Sequence, residues 1–385
     1  MSNEYNLDIL RSEEVRAAVE QNIERNPSDV ALKRGVPAAQ VVATQVKYLQ
    51  RARRKLPTLY KHRCVIPPRA FEQSSSEESA ERKPLGGRAC LDLTCGLGVD
   101  SMALAKRFER VVSIERDESL AEVVRYNMEL MGITNVEVVC STAEEYIERC
   151  TEQFDWVFVD PDRRSDKGNK MVCMEDCSPN ILSLMPRLSD ITRRVAIKLS
   201  PMFDCAEAFR LLSPSEVEVV SIAGECKELN IYTGAERDML RIAVIGQGEW
   251  EFSPEDMLAV GEARGISEEW CYLLIPDVAL QKARVAIAAL RPYGDIWSNN
   301  GFAFVAELPS VALPVRAYKI VQIEPYRPKE LKRRFKGVGV DIIKRDTSLS
   351  VEAVRKAIGA RAGSEATLAL TTIGEQSVVI TLERI

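Results

Sequence analysis

The 385-residue chain is 46% hydrophobic and 28% charged, the composition of an ordinary globular protein and of no disordered or fibrous class. At roughly 150 residues per domain it predicts two or three domains, and it holds no run of about 18 apolar residues that could span a membrane. The opening MSNEYNLDILRSEE has neither the basic stretch nor the apolar core of a secretory signal, and ten cysteines are too sparse for a disulfide scaffold, so reduced thiols in the cytoplasm are expected.

A single histidine, His62, removes whole classes of chemistry. A zinc centre with two or three His ligands cannot be assembled within one chain, nor can a two-His, one-carboxylate iron centre. A His-dependent hydrolase would have to use His62 itself. It lies in KLPTLYKHRC between Lys61 and Arg63, a stretch without a carboxylate, which predicts a surface or phosphate-facing position. Cys173 and Cys177 have CxxxC spacing but no second pair to match, so no metal site is expected.

The net charge of −5 is unevenly divided. From Val46 to Ala70 the chain carries Lys47, Arg51, Arg53, Arg54, Lys55, Lys61, Arg63 and Arg69 with no acid. From Arg316 to Arg361 thirteen Lys and Arg face five acids, so the rest of the chain is strongly acidic. Such segregation suits a polyanion, although either run alone also reads as a solvated helix face. Candidate nucleic-acid contacts are Arg51, Arg53, Arg54 and Lys55 in the first run, with Lys332, Arg333, Arg334 and Lys336 in the second. Phe335 among the latter reads as helix core rather than as a stacking platform.

In chain order, residues 1–70 read as a small helical region. Ser12-Glu13-Glu14 starts a capped amphipathic stretch, Val41, Val42, Val46 and Leu49 recur at helical spacing, and Pro57 and Pro67-Pro68 end the region. The polar FEQSSSEESAERK that follows reads as a flexible linker or as part of a site. Between Arg88 and Gly246, short apolar runs (ACLDL, RVVSI, NVEVV, FDWVFVD, RRVAIKLS, EVEVVSI, MLRIAVI) alternate with helical segments, as in a doubly wound parallel sheet. Too few residues separate the last two runs for a crossover helix, so they are expected to pair antiparallel at the sheet edge. Beyond Gly248, WCYLLIPD, GDIWSNN, AFVAEL and VRAYKIVQIEP read as strands, with a helix over 278–290. GVDIIKRD, a helix over 351–358, ATLALTTIG and SVVITLERI then form a second small α+β module. The predicted domains are 1–70, 71–247, 248–325 and 326–385.

The informative stretch is DLTCGLGVDS. A buried strand ends at Leu93, Gly96 and Gly98 permit a tight turn with close approach of a ligand, and a helix begins near Asp100. Ser101 stands where a dinucleotide fingerprint has its third glycine. Strand 2 ends at Glu115, placed to accept from ribose hydroxyls, and strand 3 is followed by Thr142-Ala143-Glu144, suited to an adenine amino group. Strand 4 ends at Asp160-Pro161-Asp162-Arg163-Arg164 and strand 5 at Lys198-Leu199-Ser200-Pro201. Glu225-Cys226-Lys227-Glu228 follows strand 6.

This arrangement resembles the class I S-adenosylmethionine-dependent methyltransferases, over Phe71 to about Gly246. The implied fold is α/β, a Rossmann-like seven-stranded domain. By resemblance, Asp92, Thr94, Gly96, Gly98, Glu115, Glu144 and Asp160 bind S-adenosylmethionine. Gln73, Ser74 and Ser75 correspond to an upstream segment that closes over its methionine part. Amino-methylating nucleic-acid enzymes have Asn or Asp, Pro, Pro and an aromatic after strand 4. Here Asp162 and Arg163 replace the second proline and the ring, nearer to the Asp-Pro-Pro-Arg of some RNA methyltransferases. Asp160, Asp162 and Arg163 are therefore the candidate catalytic residues, with Asp160 or Asp162 as base. The whole chain is similar to a bacterial group with an N-terminal helical region, a ferredoxin-like module (about 267–325) and a THUMP-like end (about 327–385), which implies structured RNA such as tRNA or rRNA as partner. Open alternatives are an RNA-binding protein with a non-catalytic cofactor fold, a protein or small-molecule methyltransferase, and a nicotinamide enzyme.

Overall fold

The computed structural model describes residues 6–163, 174–262 and 265–385. The chain forms two compact units: residues up to Lys198 with Tyr232–Gly234, and Leu199–Ile231 with Ala235–Ile385.

The first unit opens with short helices: α1 (Leu7–Arg11), α2 (Glu13–Asn22), α3 (Pro27–Leu32), α4 (Ala39–Lys55), α5 (Pro57–Lys61), α6 (Pro68–Gln73) and α7 (Glu77–Glu81). Ser12 caps α2 by accepting from Val15 N–H, and Glu13 and Glu14 suit the positive end of the helix. In α4, Val42, Val46 and Leu49 form one buried stripe, and Gln45 exchanges two hydrogen bonds with the Ile66 backbone. The serine-rich stretch is no linker: it ends α6, turns, and starts α7 with Ser76 as N-cap.

The sheet of this unit comprises β1 (Gly87–Asp92), β2 (Phe108–Glu115), β3 (Val136–Cys140), β4 (Trp156–Val159) and, after the two-residue pair β5 (Asp162–Arg163) and β6 (Cys177–Ser178), β7 (Val195–Leu199). The five longer strands run parallel in the order β7-β4-β1-β2-β3. The intervening helices are α8 (Val99–Ala105), α9 (Glu118–Met131), α10 (Ala143–Arg149) and α11 (Ile181–Leu188). The N-terminal helices share a core with α9 through Val46, Leu49, Val124 and Met128, and Asn127 is bonded twice to the Val65 backbone. His62 is half-buried with Nδ1 against the Leu130 carbonyl at 3.2 Å, another tie to α9.

In the second unit α12 (Cys205–Leu212) leads to β8 (Ser215–Ile222), β9 (Glu225–Thr233), β10 (Met239–Val244) and β11 (Gly248–Phe252). These strands follow the order β11-β10-β8-β9. The expected antiparallel pairing of EVEVVSI with MLRIAVI is not found, because β8 and β10 are parallel. The hairpin partner of β8 is β9, inside GECKELNIYTGAER, across a two-residue turn in which Ala223 (φ 51°) and Gly224 (φ 79°) are both left-handed. Buried Glu228, Asn230 and Thr233 disguise β9 in the sequence; Asn230 satisfies Glu218 and Glu228.

The remaining elements are β12 (Tyr272–Pro276), α13 (Val278–Lys282), α14 (Ala286–Leu290), β13 (Ala303–Val305), β14 (Val315–Pro325), α15 (Pro328–Phe335), β15 (Gly339–Lys344), α16 (Val351–Ile358), β16 (Arg361–Ala362), β17 (Ala366–Ile373) and β18 (Gln376–Arg384). The helix expected over 278–290 is two, since Arg284 turns left-handed (φ 59°). GDIWSNN forms only an isolated bridge, Asp295 to Phe304. The two α+β stretches share one seven-stranded sheet, β13-β12-β14-β18-β17-β15-β16, because β14 pairs with β12 on one edge and with β18 on the other. Leu331 and Phe335 of α15 pack with Val354 and Ile358 of α16, so Phe335 is core.

Candidate active site

The glycine turn follows β1. Gly96 (φ 54°) and Gly98 (φ 79°) both adopt the left-handed conformation, for different reasons. A Cβ on Gly98 would lie 2.9 Å from Val124 Cγ1, so this glycine lets α8 approach α9. A Cβ on Gly96 would meet nothing nearer than the Thr94 carbonyl at 4.0 Å, so its face of the turn is open. Of the two, Gly96 is the position that a ligand can approach.

Glu115, at the end of β2, accepts from Gly96 N–H and Asp117 N–H, both at 2.9 Å, one on each carboxylate oxygen. Each oxygen keeps lone-pair capacity for a further donor. Burial raises its pKa above the ordinary value, and the two backbone donors oppose that rise.

Asp92, expected among the cofactor contacts, bonds within the protein. It is wholly buried, with Oδ1 accepting from Thr94 N–H (3.0 Å) and Oδ2 from Ser101 Oγ (2.6 Å). Both oxygens are engaged within the protein, so Asp92 ties the turn to the start of α8. Ser101 replaces the third glycine because its hydroxyl closes this tie. Burial pushes the Asp92 pKa up to about 7 against these two hydrogen bonds.

A chain of charged groups lies across the carboxyl ends of β1, β4 and β7. Lys83 donates to Asp100 Oδ1 at 2.8 Å, and Ser75 Oγ donates to Asp100 Oδ2 at 2.7 Å. Lys198 Nζ donates to Ser75 Oγ at 3.0 Å and pairs with Asp160. Thr94 Oγ1 accepts from Asp160 N–H at 2.7 Å, joining the β4 end to the glycine turn. Burial opposes ionisation of Asp100, yet Lys83 and Lys198 carry its pKa below the usual carboxylate range. For Asp160 burial outweighs Lys198 and the pKa is raised, while 32% of the side chain remains exposed. Asp160 is thus a half-enclosed carboxyl with one open side.

The other predicted residues sit farther out. Asp162 is exposed and 3.7 Å from Arg116. Arg163 follows it in β5, paired across the strand with Cys177, and Arg164 and Cys173 lie outside the described residues. Gln73 is exposed at the end of α6, Ser74 is half-buried, and Glu144 is exposed in the first turn of α10. Three of the four candidates in the first basic run are tied to the protein: Arg51 pairs with Glu72, Arg53 with Glu24, and half-buried Lys55 donates to the Phe71 carbonyl at 2.7 Å. Only Arg54 among those four makes no ion pair or hydrogen bond among the described residues. In the second run Arg334 pairs with Glu324, while Lys332, Arg333 and Lys336 are exposed. Glu225 and Lys227 form an exposed pair at the start of β9. Sequence reasoning missed Lys83 altogether and left Lys198 without a role. The position of Lys198 at a strand end was the only local signal.

Two family models match the chain: Conserved hypothetical protein 95 over residues 71–175, and THUMP domain-like over residues 315–384. A crystal structure described as that of a candidate methyltransferase from Porphyromonas gingivalis W83 superposes with a TM-score of 0.84, at 24% identity, over 98% of each chain. The chain thus has the fold of a methyltransferase, with a THUMP-like match in its C-terminal region. The THUMP-like match begins with β14, the strand that joins the two α+β stretches. An uncharacterised S-adenosylmethionine-dependent methyltransferase of Mycobacterium tuberculosis is 23% identical over 331 residues, 80% of this chain and 85% of that one. A 23S rRNA (uracil(1939)-C(5))-methyltransferase of Vibrio parahaemolyticus is 26% identical over 227 residues, 54% of this chain and 51% of that one.

S-adenosylmethionine, the cofactor named for the Mycobacterium tuberculosis relative, would fit the residues present. Glu115 retains acceptor capacity for two ribose hydroxyls, and the open face of Gly96 leaves backbone approachable beside it. No group of three or more His, Cys, Asp or Glu among the described residues is placed to hold a metal ion, and no helix among them is long and apolar enough to cross a membrane.

Proposed function

We propose that this protein transfers the methyl group of S-adenosylmethionine to a nucleotide in structured RNA, and that it works in the cytoplasm. One observation carries the reading: Asp160, half-enclosed and bonded through its backbone to Thr94 of the glycine turn, follows β4 with one side open. The bound cofactor supplies an electrophilic methyl on a sulfonium. The chain's own residues then hold the acceptor in line with that methyl and accept its proton. Asp160 suits the second task, since its raised pKa brings the carboxylate nearer to the working pH than an ordinary aspartate. Exposed Asp162 follows, where it would orient the acceptor rather than take its proton.

An RNA acceptor is supported by the THUMP-like region, by the exposed cations Lys332, Arg333 and Lys336 of its first helix and cap, and by the partial relationship to an rRNA-modifying enzyme. The test is incubation with methyl-labelled S-adenosylmethionine and total cellular RNA, followed by nucleoside analysis. One labelled nucleoside, sharply reduced but still measurable in Asp160→Asn, is the expected result. Label confined to protein or small molecules would refute the RNA assignment.

A further inference from the structure

The chain of contacts from Asp160 to Lys83 joins two parts of the site that are far apart in sequence. Ser75 belongs to the segment between α6 and α7, and Asp160 begins the loop after β4. The side chain that touches both is Lys198, from the end of β7. Ser75 in turn donates to Asp100 in the first turn of α8, directly after the glycine turn. Lys198 is 14% exposed, so these contacts form in a poorly hydrated place where charge-assisted hydrogen bonds are strong.

We propose that Lys198 is a positioning residue that couples the Ser74–Ser75 segment beside the cofactor turn to the acceptor-side carboxylate Asp160. This deepens the methyltransferase reading and rests on it. Lys198 holds Ser75 against α8 and stabilises the ionised form of Asp160. The charged groups facing Asp160 are Lys198 from β7, Asp100 from α8, Lys83 after α7 and Asp92 from β1. Lys198 is the one in direct contact, so its loss leaves Asp160 among carboxylates with only Lys83 to offset them. The Asp160 pKa then rises further. Proton acceptance needs the ionised form, so the acidic limb of the rate profile moves to higher pH.

The experiment uses the full chain as wild type, Lys198→Gln, Lys198→Arg and the double variant Lys198→Gln/Asp160→Asn. Hydrogen exchange of residues 73–78 is measured with and without S-adenosylmethionine, and methyl transfer to total RNA is followed from pH 5 to 9. In Lys198→Gln the amides of 73–78 should exchange faster, and the acidic limb should move up by about 1 to 3 units. Transfer at neutral pH should fall roughly a hundredfold. Lys198→Arg should recover most of both effects, and the double variant should be no slower than Asp160→Asn alone. Unchanged exchange at 73–78 together with an unmoved pH profile would overturn the proposal. Additive losses in the double variant would also overturn it, because Lys198 would then act independently of Asp160. If wild type transfers no methyl to RNA, the RNA assignment fails by itself. In that case the exchange of 73–78 and the pKa of Asp160, read by carboxyl-carbon NMR, still decide the role of Lys198.

Discussion

Charge is handled in opposite ways at the glycine-turn end of the first unit and on the first helix of the THUMP-like region. In the former, Lys83 and Asp100 have side chains only 3% and 12% exposed, and each is matched by a partner. In the latter, α15 places Lys332, Arg333 and Arg334 in its last turn and buries only Leu331 and Phe335; Arg334 pairs with Glu324, and Lys332 and Arg333 are left in water. The same residue types therefore carry different energies. A buried pair is costly to break, because the survivor is a charge out of water, whereas an exposed lysine contributes little to stability. Charge in the first place builds a site, and charge in the second is available to a partner.

The comparison is broken most directly at Lys83. Lys83→Met leaves Asp100 buried with Ser75 and the more distant Lys198, and should destabilise the protein by about 3–5 kcal/mol in urea unfolding. The double variant Lys83→Met/Asp100→Leu should recover much of that loss. A cost under about 1 kcal/mol for the single change would mean that water reaches the pair.

Asp92 tests burial without a counter-charge. Its folded pKa of about 7 lies above the ordinary aspartate value, so between these limits the folded state holds the proton more tightly than the unfolded state. Stability from this group is therefore full below about pH 4 and falls as pH rises towards 7, by about 4 kcal/mol at most. Asp92→Asn keeps an acceptor for Thr94 N–H and should flatten that fall. An identical pH dependence of the melting temperature in the variant would show that Asp92 ionises normally.

Glu115→Ala should weaken S-adenosylmethionine binding by roughly tenfold to a hundredfold, the effect of losing charge-assisted hydrogen bonds worth about 1.5–3 kcal/mol. Calorimetry showing unaltered affinity would remove Glu115 from the cofactor site. The smallest effect on stability is expected on α15 and its cap. Lys332, Arg333 and Lys336 changed together to Ala should shift stability by no more than about 0.5 kcal/mol. The same variant should bind RNA more weakly, with a salt slope flatter by up to about 3 units. Cofactor affinity should be unchanged, and an unaltered salt slope would return these cations to a solvated surface.

Parallel strands β1 to β4 and β7 were legible because strands buried on both faces read as continuous apolar runs separated by helical periods. Strand β9 was not, because it buries Glu228, Asn230 and Thr233 beside Leu229 and Ile231. Those polar groups are tolerated only because partners such as Glu218 reach them, and a single strand carries no record of its partners. The shared C-terminal sheet escaped for a related reason: β14 reads as the end of one module but pairs with β18, the last strand of the chain.

The sequence by itself determined the glycine turn and the acid at the end of β2, because these depend on backbone conformations and strand ends encoded within a few residues. It also marked Asp160 through its place after β4. Tertiary structure alone decided what those residues do. It turned Asp92 inward onto Ser101, brought Lys198 to Asp160 and Ser75, and set Lys83 against Asp100. It also paired Arg51 with Glu72 and Arg53 with Glu24, so that part of a basic run in the sequence is matched by acids from elsewhere in the chain. The physical reason is common to all of these. A charged group is defined by burial and by its nearest partner, and here the partners lie between 9 and 123 residues away along the chain.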